Sequence, residues 1–188
     1  MAKVYEFLAN GFEEIEGMAP VDILRRAGID IKTVSISGNE FVETSHGITV
    51  KADLIFEETN LSDADLLMLP GGMPGSTNLN AHDGLKNALL KHNSEGKKIA
   101  AICAAPMVLG GLGLLKGKRA TCSPGFEKYM DGAVYTHELC TVDGNITTGE
   151  GPAATLPYAY TILESFVGKE SSKNLQKKMQ FAHLMGNE

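Results

Sequence analysis

The chain has 188 residues, 43% hydrophobic and 21% charged, with 21 glycines, three cysteines and no tryptophan. That length fits one domain, and a chain of this size buries roughly two thirds of its unfolded surface without metal or disulfide staples. The formal net charge of -6 disfavours a generic nucleic-acid or anionic-membrane binder, and no apolar run approaches the roughly 20 residues of a membrane span. Cys103, Cys122 and Cys140 fit neither a disulfide framework nor a CxxC pair. The N-terminus lacks the basic and long apolar segments of a signal peptide, so the expected location is a reducing, cytoplasmic interior.

KVYEFLA (3–9) reads as a first strand, closed by the Asn10-Gly11 turn signal. EEIEGMAPVDILRRAG follows as a helix with Ile15, Met18, Ile23 and Leu24 on its apolar face and Gly28 as a stop; Pro20 predicts a kink or a broken first turn. IDIKTVSIS (29–37) is a second strand, and two short strand-like runs around His46-Gly47 suggest a small hairpin. ADLLMLP (64–70) is a continuous apolar run ending at Gly71-Gly72, the pattern of a buried parallel strand. DGLKNALLKHNSEG is an amphipathic helix with His82 and His92 assigned to its surface side. KKIAAIC is the next strand, and AAPMVLGGLGLL a helix of small residues. RATCS and VYTHELCTVDGNITTG give further strands with a turn at Asp143-Gly144, and GPAATLPYAYTILESFVG and SSKNLQKKMQFAHLM close the chain as helices. This alternation predicts one α/β domain over residues 1–188, a mostly parallel sheet with helices on both faces.

Ligands of open parallel sheets bind outside the carboxyl ends of the strands. Glu13, Glu14 and Glu16 follow the first such end, Gly71 and Gly72 another, and Cys103 a third. Cys103 stands on a strand-to-helix elbow among Ala100, Ala101, Ala104 and Ala105, with Pro106 at the first helical turn. Orphan N–H groups and the positive helix end there favour a thiolate, the nucleophilic and oxidisable form. Gly72 and Ala104 are the candidate oxyanion donors. A carboxyl beside the thiol resists ionising together with it, so the productive state is a protonated Glu donating to a thiolate. His137 is a candidate pocket residue, whereas Cys122 and Cys140 read as core. No HExxH, acidic metal cluster or GxxxxGK[ST] is found in the sequence, so neither metal nor cofactor is implied.

AAICAAP with Cys103, LPGG with Gly72, EEIEGMAPVDILRRAGI with Glu16 and GEGPAAT occur in order and at the spacing of a known family. Over residues 3 to about 170 the chain resembles the ThiJ/PfpI superfamily, in the branch named for DJ-one. The resemblance implies a flavodoxin-like three-layer sandwich and a homodimer. It also implies a reactive thiol at Cys103, a protonated carboxyl at Glu16, and oxyanion donors at Gly72 and Ala104 with Gly71 beside them. The implied chemistry is glyoxalase or deglycase action on a small carbonyl substrate such as methylglyoxal, with redox sensing through a Cys103 sulfinic acid as the alternative. Three pocket positions depart from the branch: Ser123 stands where a histidine is frequent, His46 where an arginine is frequent, and Glu150 where Arg or Gln is frequent. Ala104 replaces the histidine that follows the cysteine in the protease-like branch, which removes the Cys–His pair a peptidase needs.

Overall fold

The computed structural model describes residues 2–186. Its first unit runs from β1 (Lys3–Leu8) through α1 (Glu14–Arg26) to β2 (Asp30–Ser35). A hairpin, β3 (Phe41–Glu43) and β4 (Thr49–Lys51), and the short β5 (Leu54–Ile55) come next. Then follow β6 (Leu66–Leu69), α2 (Gly75–Ala81), α3 (Asp83–Ser94), β7 (Lys98–Ile102) and α4 (Pro106–Gly111). The last third holds β8 (Arg119–Ala120), β9 (Val134–Tyr135), β10 (Cys140–Asp143), β11 (Ile146–Gly149), α5 (Thr155–Lys178) and α6 (Phe181–Leu184).

Seven strands form one sheet in the order β10-β11-β7-β6-β1-β2-β5. All pairings are parallel except β10 with β11, which close an antiparallel hairpin at one edge. Alternate residues of the strands serve opposite faces. Tyr5 and Phe7 of β1 pack with Leu79, Leu85, Leu89, Val108 and Leu109 of α2, α3 and α4. Val4 packs on the other side with Val21, Ile23 and Leu24 of α1 and with Tyr158, Ile162 and Leu163 of α5. The result is the expected three-layer sandwich.

After β1 the chain moves outward to β2, and at β6 it returns to the opposite side of β1. The carboxyl ends of β1 and β6 therefore flank the point where the strand order reverses, with β7 next in register through Leu69↔Ala101. The three segments singled out in the sequence meet at this crevice.

Some local expectations are corrected. α1 runs unbroken through Pro20. The ring removes one N–H, the donor to the Glu16 carbonyl, while the buried Val21, Ile23 and Leu24 anchor the helix against the sheet. His92 is buried rather than on the surface side of α3. α4 is only six residues long. As expected, two helices close this stretch, parted at Gly168, whose backbone (φ 79°, ψ 164°) is not helical.

Candidate active site

Cys103 lies just past β7 with φ 64°, a conformation that costs a non-glycine residue energy and clusters at functional sites. Three backbone contacts hold it there. Its N–H donates to the Gly149 carbonyl at 2.9 Å, its carbonyl accepts from Ser123 N–H at 2.9 Å, and Ala105 N–H closes the turn onto Ile102 at 3.0 Å. Ala104 and Ala105 are buried.

Glu16 enters from the first turn of α1 and is fully buried. Its helix start is fixed by Glu13, whose carboxylate accepts from Glu16 N–H at 2.8 Å, as N-cap side chains do. Glu16 Oε2 accepts from Gly71 N–H at 2.9 Å, while Oε1 has no partner nitrogen or oxygen and the carboxyl interacts with the Cys103 thiol. Gly71 is wedged between the two: a Cβ there would lie 2.5 Å from Glu16 Oε2 and 2.6 Å from Cys103 Cβ. At Gly72, φ is 87° and a Cβ would meet the Glu13 nitrogen at 2.4 Å. Only glycine fits either position, and the Gly72 N–H is thereby aimed at Cys103.

The electrostatics correct one expectation. Burial, followed by the Glu16 charge and its hydrogen bond, pushes the Cys103 thiol up to about 12, against the pull of Gly72 N–H and the Ser123 hydroxyl. The helix end alone does not produce a thiolate. Burial also raises Glu16 to about 7, with the Glu13 charge adding to the rise and Cys103 and Gly71 N–H opposing it. Two acids this close titrate as a pair. The first proton leaves near pH 7, chiefly from Glu16, and the carboxylate it leaves helps hold the Cys103 thiol protonated.

Ser123 thus belongs to the site, through its N–H and its hydroxyl. Glu150 directly follows the carbonyl that anchors Cys103 N–H. His137 is exposed and stacks on Tyr135 with ring centroids 4.0 Å apart, so the structure gives it no contact with the thiol. Cys122 is buried core just beyond β8, and Cys140 is half-buried in β10. Glu13, Glu14 and His46 bring three potential ligand atoms within 4.8 Å of one another, a grouping the sequence does not suggest. His46 Nδ1 and Glu14 Oε1 already form an ion pair at 2.9 Å there, and Glu13 caps α1. Two further polar groups, which the sequence reading passes over, lie behind the site: Glu6 of β1 and Tyr158 of α5, each 1% exposed, with Glu6 Oε2 and the Tyr158 hydroxyl unpartnered among the described residues.

Residues 2–165 match the DJ-1/PfpI family. The chain is 37% identical over 169 residues to the Parkinson disease protein 7 homolog of Danio rerio, covering 87% of this chain and 88% of that protein. It is 34% identical over 154 residues to Deglycase PH1704 of Pyrococcus horikoshii, covering 80% and 91%. Protein DJ-1 homolog B of Arabidopsis thaliana is 38% identical over 90% of this chain, which spans only 39% of that longer protein. The oxidized form of Toxoplasma gondii DJ-1 superposes with a TM-score of 0.91 at 33% identity, covering 95% of this chain and 98% of that one. No helix among the described residues is long and apolar enough to cross a membrane. On sequence and fold, the chain belongs to the DJ-1/PfpI family.

Proposed function

We propose that the protein is a cofactor-independent cysteine enzyme acting on small reactive carbonyls, of glyoxalase or deglycase type, with methylglyoxal or its thiol and amine adducts as substrate. The observation that carries this reading is the wedge at Gly71, which holds the Glu16 carboxyl and Cys103 on either side of one backbone unit. In the one-charge state with the proton on Glu16, the Cys103 sulfur attacks the carbonyl carbon and forms the S–C bond of a hemithioacetal. The carbonyl π pair moves to oxygen, where Gly72 and Ala104 N–H groups receive the charge. Neither of these N–H groups donates to a backbone carbonyl among the described residues. Glu16 then delivers its proton to the oxyanion and is regenerated as the base for the next transfer. Archaeal relatives carrying the name deglycase support the reaction class.

A second reading uses the same atoms. Gly72 N–H and the Ser123 hydroxyl, both directed at the sulfur, suit the oxygens of a Cys103 sulfinate formed by peroxide. Turnover of methylglyoxal to lactate by wild type, Cys103→Ser and Glu16→Ala, with intact mass after mild peroxide, separates the two. Turnover lost in both variants supports the carbonyl enzyme. Absent turnover in wild type, with two oxygens gained at Cys103 alone, overturns it in favour of redox sensing.

A further inference from the structure

Three polar side chains are buried in the layer between the sheet and helices α1 and α5. Glu16 comes from α1, Glu6 from β1 and Tyr158 from α5, and each is 1% exposed or less. Glu6 stands opposite Met68 in the β1–β6 register, and Met68 packs in one cluster with Tyr158 and Ile102. The Tyr158 ring lies under the Cys103 elbow: a Cβ on Gly149, whose carbonyl accepts Cys103 N–H, would come within 3.0 Å of its Cδ2. Each of the three carries an oxygen without a partner among the described residues: Glu6 Oε2, Glu16 Oε1 and the Tyr158 hydroxyl. They are near enough to feel one another, Glu16 acting on Glu6 and both on Tyr158. Buried polar atoms are seldom left unpaired, and a buried site with two to four such atoms is where proteins hold an internal water. The other neighbours are already engaged. From β2, Glu6 faces Thr33, whose hydroxyl and N–H donate to Asp53, itself paired with Arg25. Cys103 and Glu13 act on Glu16, and Cys140 on Tyr158.

We propose that Glu6, Tyr158 and Glu16 enclose a site for one internal water molecule, through which Glu6 and Tyr158 act as positioning residues for the Glu16 carboxyl. The water accepts from the Tyr158 hydroxyl and the Glu6 carboxyl O–H and donates to Glu16 Oε1, while Gly71 N–H serves Oε2. Glu6 remains a donor because burial keeps its carboxyl protonated at neutral pH. A donor aimed at a carboxylate favours the charged form, so the water offsets part of the burial that resists ionisation of Glu16. The water site itself is independent of any substrate; its effect on turnover deepens, and rests on, the carbonyl reading above.

Two measurements test it. A high-resolution crystal structure should show one water within hydrogen-bonding distance of all three oxygens. The side-chain carboxyl carbon resonance of Glu16, assigned in NMR spectra through Glu16→Gln, gives its titration midpoint without substrate. Tyr158→Phe and Glu6→Met should each raise that midpoint by about 0.5 to 1 pH unit, whereas Glu6→Gln, which keeps a neutral donor, should leave it near the wild-type value. Where the protein turns over methylglyoxal, its pH profile should move with the NMR midpoint. Three oxygens packed without a water, or a midpoint that Tyr158→Phe does not move, overturns the proposal. A shift in Glu6→Gln as large as that in Glu6→Met does the same, since loss of packing rather than of a donor would then be the cause. Shifted midpoints in a protein inactive on methylglyoxal keep the water site and remove the carbonyl reading. Unmoved midpoints in an active protein remove the water site and leave the carbonyl reading standing.

Discussion

Glu6→Met tests how the interior behind the site is held together. Glu6 lies in register between Thr33 of β2 and Met68 of β6, on the side of the sheet that Val4 shares with α1 and α5. Burial, with the Glu16 charge second, pushes its carboxyl well above the usual carboxylate range. The folded protein therefore keeps this proton at neutral pH, while the unfolded chain releases it around the ordinary value of 4.5. Because the folded state binds the extra proton, stability falls as pH rises from 4.5 toward the folded-state value, by about 1.4 kcal/mol per pH unit. The loss comes on top of leaving Glu6 Oε2 without a partner among the described residues.

Methionine has a similar unbranched length and no titration. Urea unfolding of both proteins at pH 5, 6 and 7 should show the Met variant gaining on wild type by about 1.4 kcal/mol for each unit of pH. Glu16 also titrates, near 7, but it is present in both proteins and largely cancels in the difference. A stability difference that stays constant from pH 5 to 7 would refute the reasoning, because a change in packing alone shifts every pH equally.

Two further outcomes address the site. Gly71→Ala should lower turnover about 100-fold, since its Cβ cannot coexist with Glu16 Oε2 and Cys103 Cβ at 2.5 and 2.6 Å, and should cost about 1–3 kcal/mol in a urea melt; wild-type kinetics would mean the wedge is dispensable. Iodoacetamide labelling of Cys103 should rise with a midpoint near pH 7 as the pair gives up its first proton, and Glu16→Gln should move that midpoint up, because the pair is gone and burial raises the lone thiol. A wild-type midpoint close to 12 would mean that the singly charged pair holds no reactive thiolate and would defeat the proposed nucleophile.

The legible parts of the fold were those whose burial leaves a periodic trace. ADLLMLP announces a strand buried on both faces, and the alanines around Cys103 with Pro106 announce the elbow. α2 left no such trace: in GSTNLNA only Gly75, Ser76 and Leu79 are buried, and glycine and asparagine are poor helix formers. His92 reads as polar surface by type, yet α3 turns it inward. Glu6 does carry a signal, a lone acid on the same strand face as Val4 and Leu8, and it passes unnoticed because acids are so often exposed. The juxtaposition of Glu16 with Cys103 was reached through the family resemblance. Repulsion arguments make the pair chemically sensible, but only the sheet order β7-β6-β1 and the glycine wedge bring them together.

Among the described residues no histidine acts on the Cys103 thiol, which changes what the carboxyl must do in the proposed reaction. Imidazole gains and loses a proton near neutrality without help, whereas an exposed glutamate is ionised there and has no proton to give. Burial of Glu16 removes that difference by raising it to about 7, and the Glu13 charge adds to the rise. Glu13 thus acts twice on one neighbour, fixing the start of α1 through Glu16 N–H and making the Glu16 proton harder to lose. The same negative charge that helps Glu16 hold its proton also opposes a second charge on the sulfur. The arrangement therefore suits a site with one charge at a time: a thiolate while Glu16 is protonated, an oxyanion once the carbonyl has been attacked, and a carboxylate after Glu16 has given its proton away.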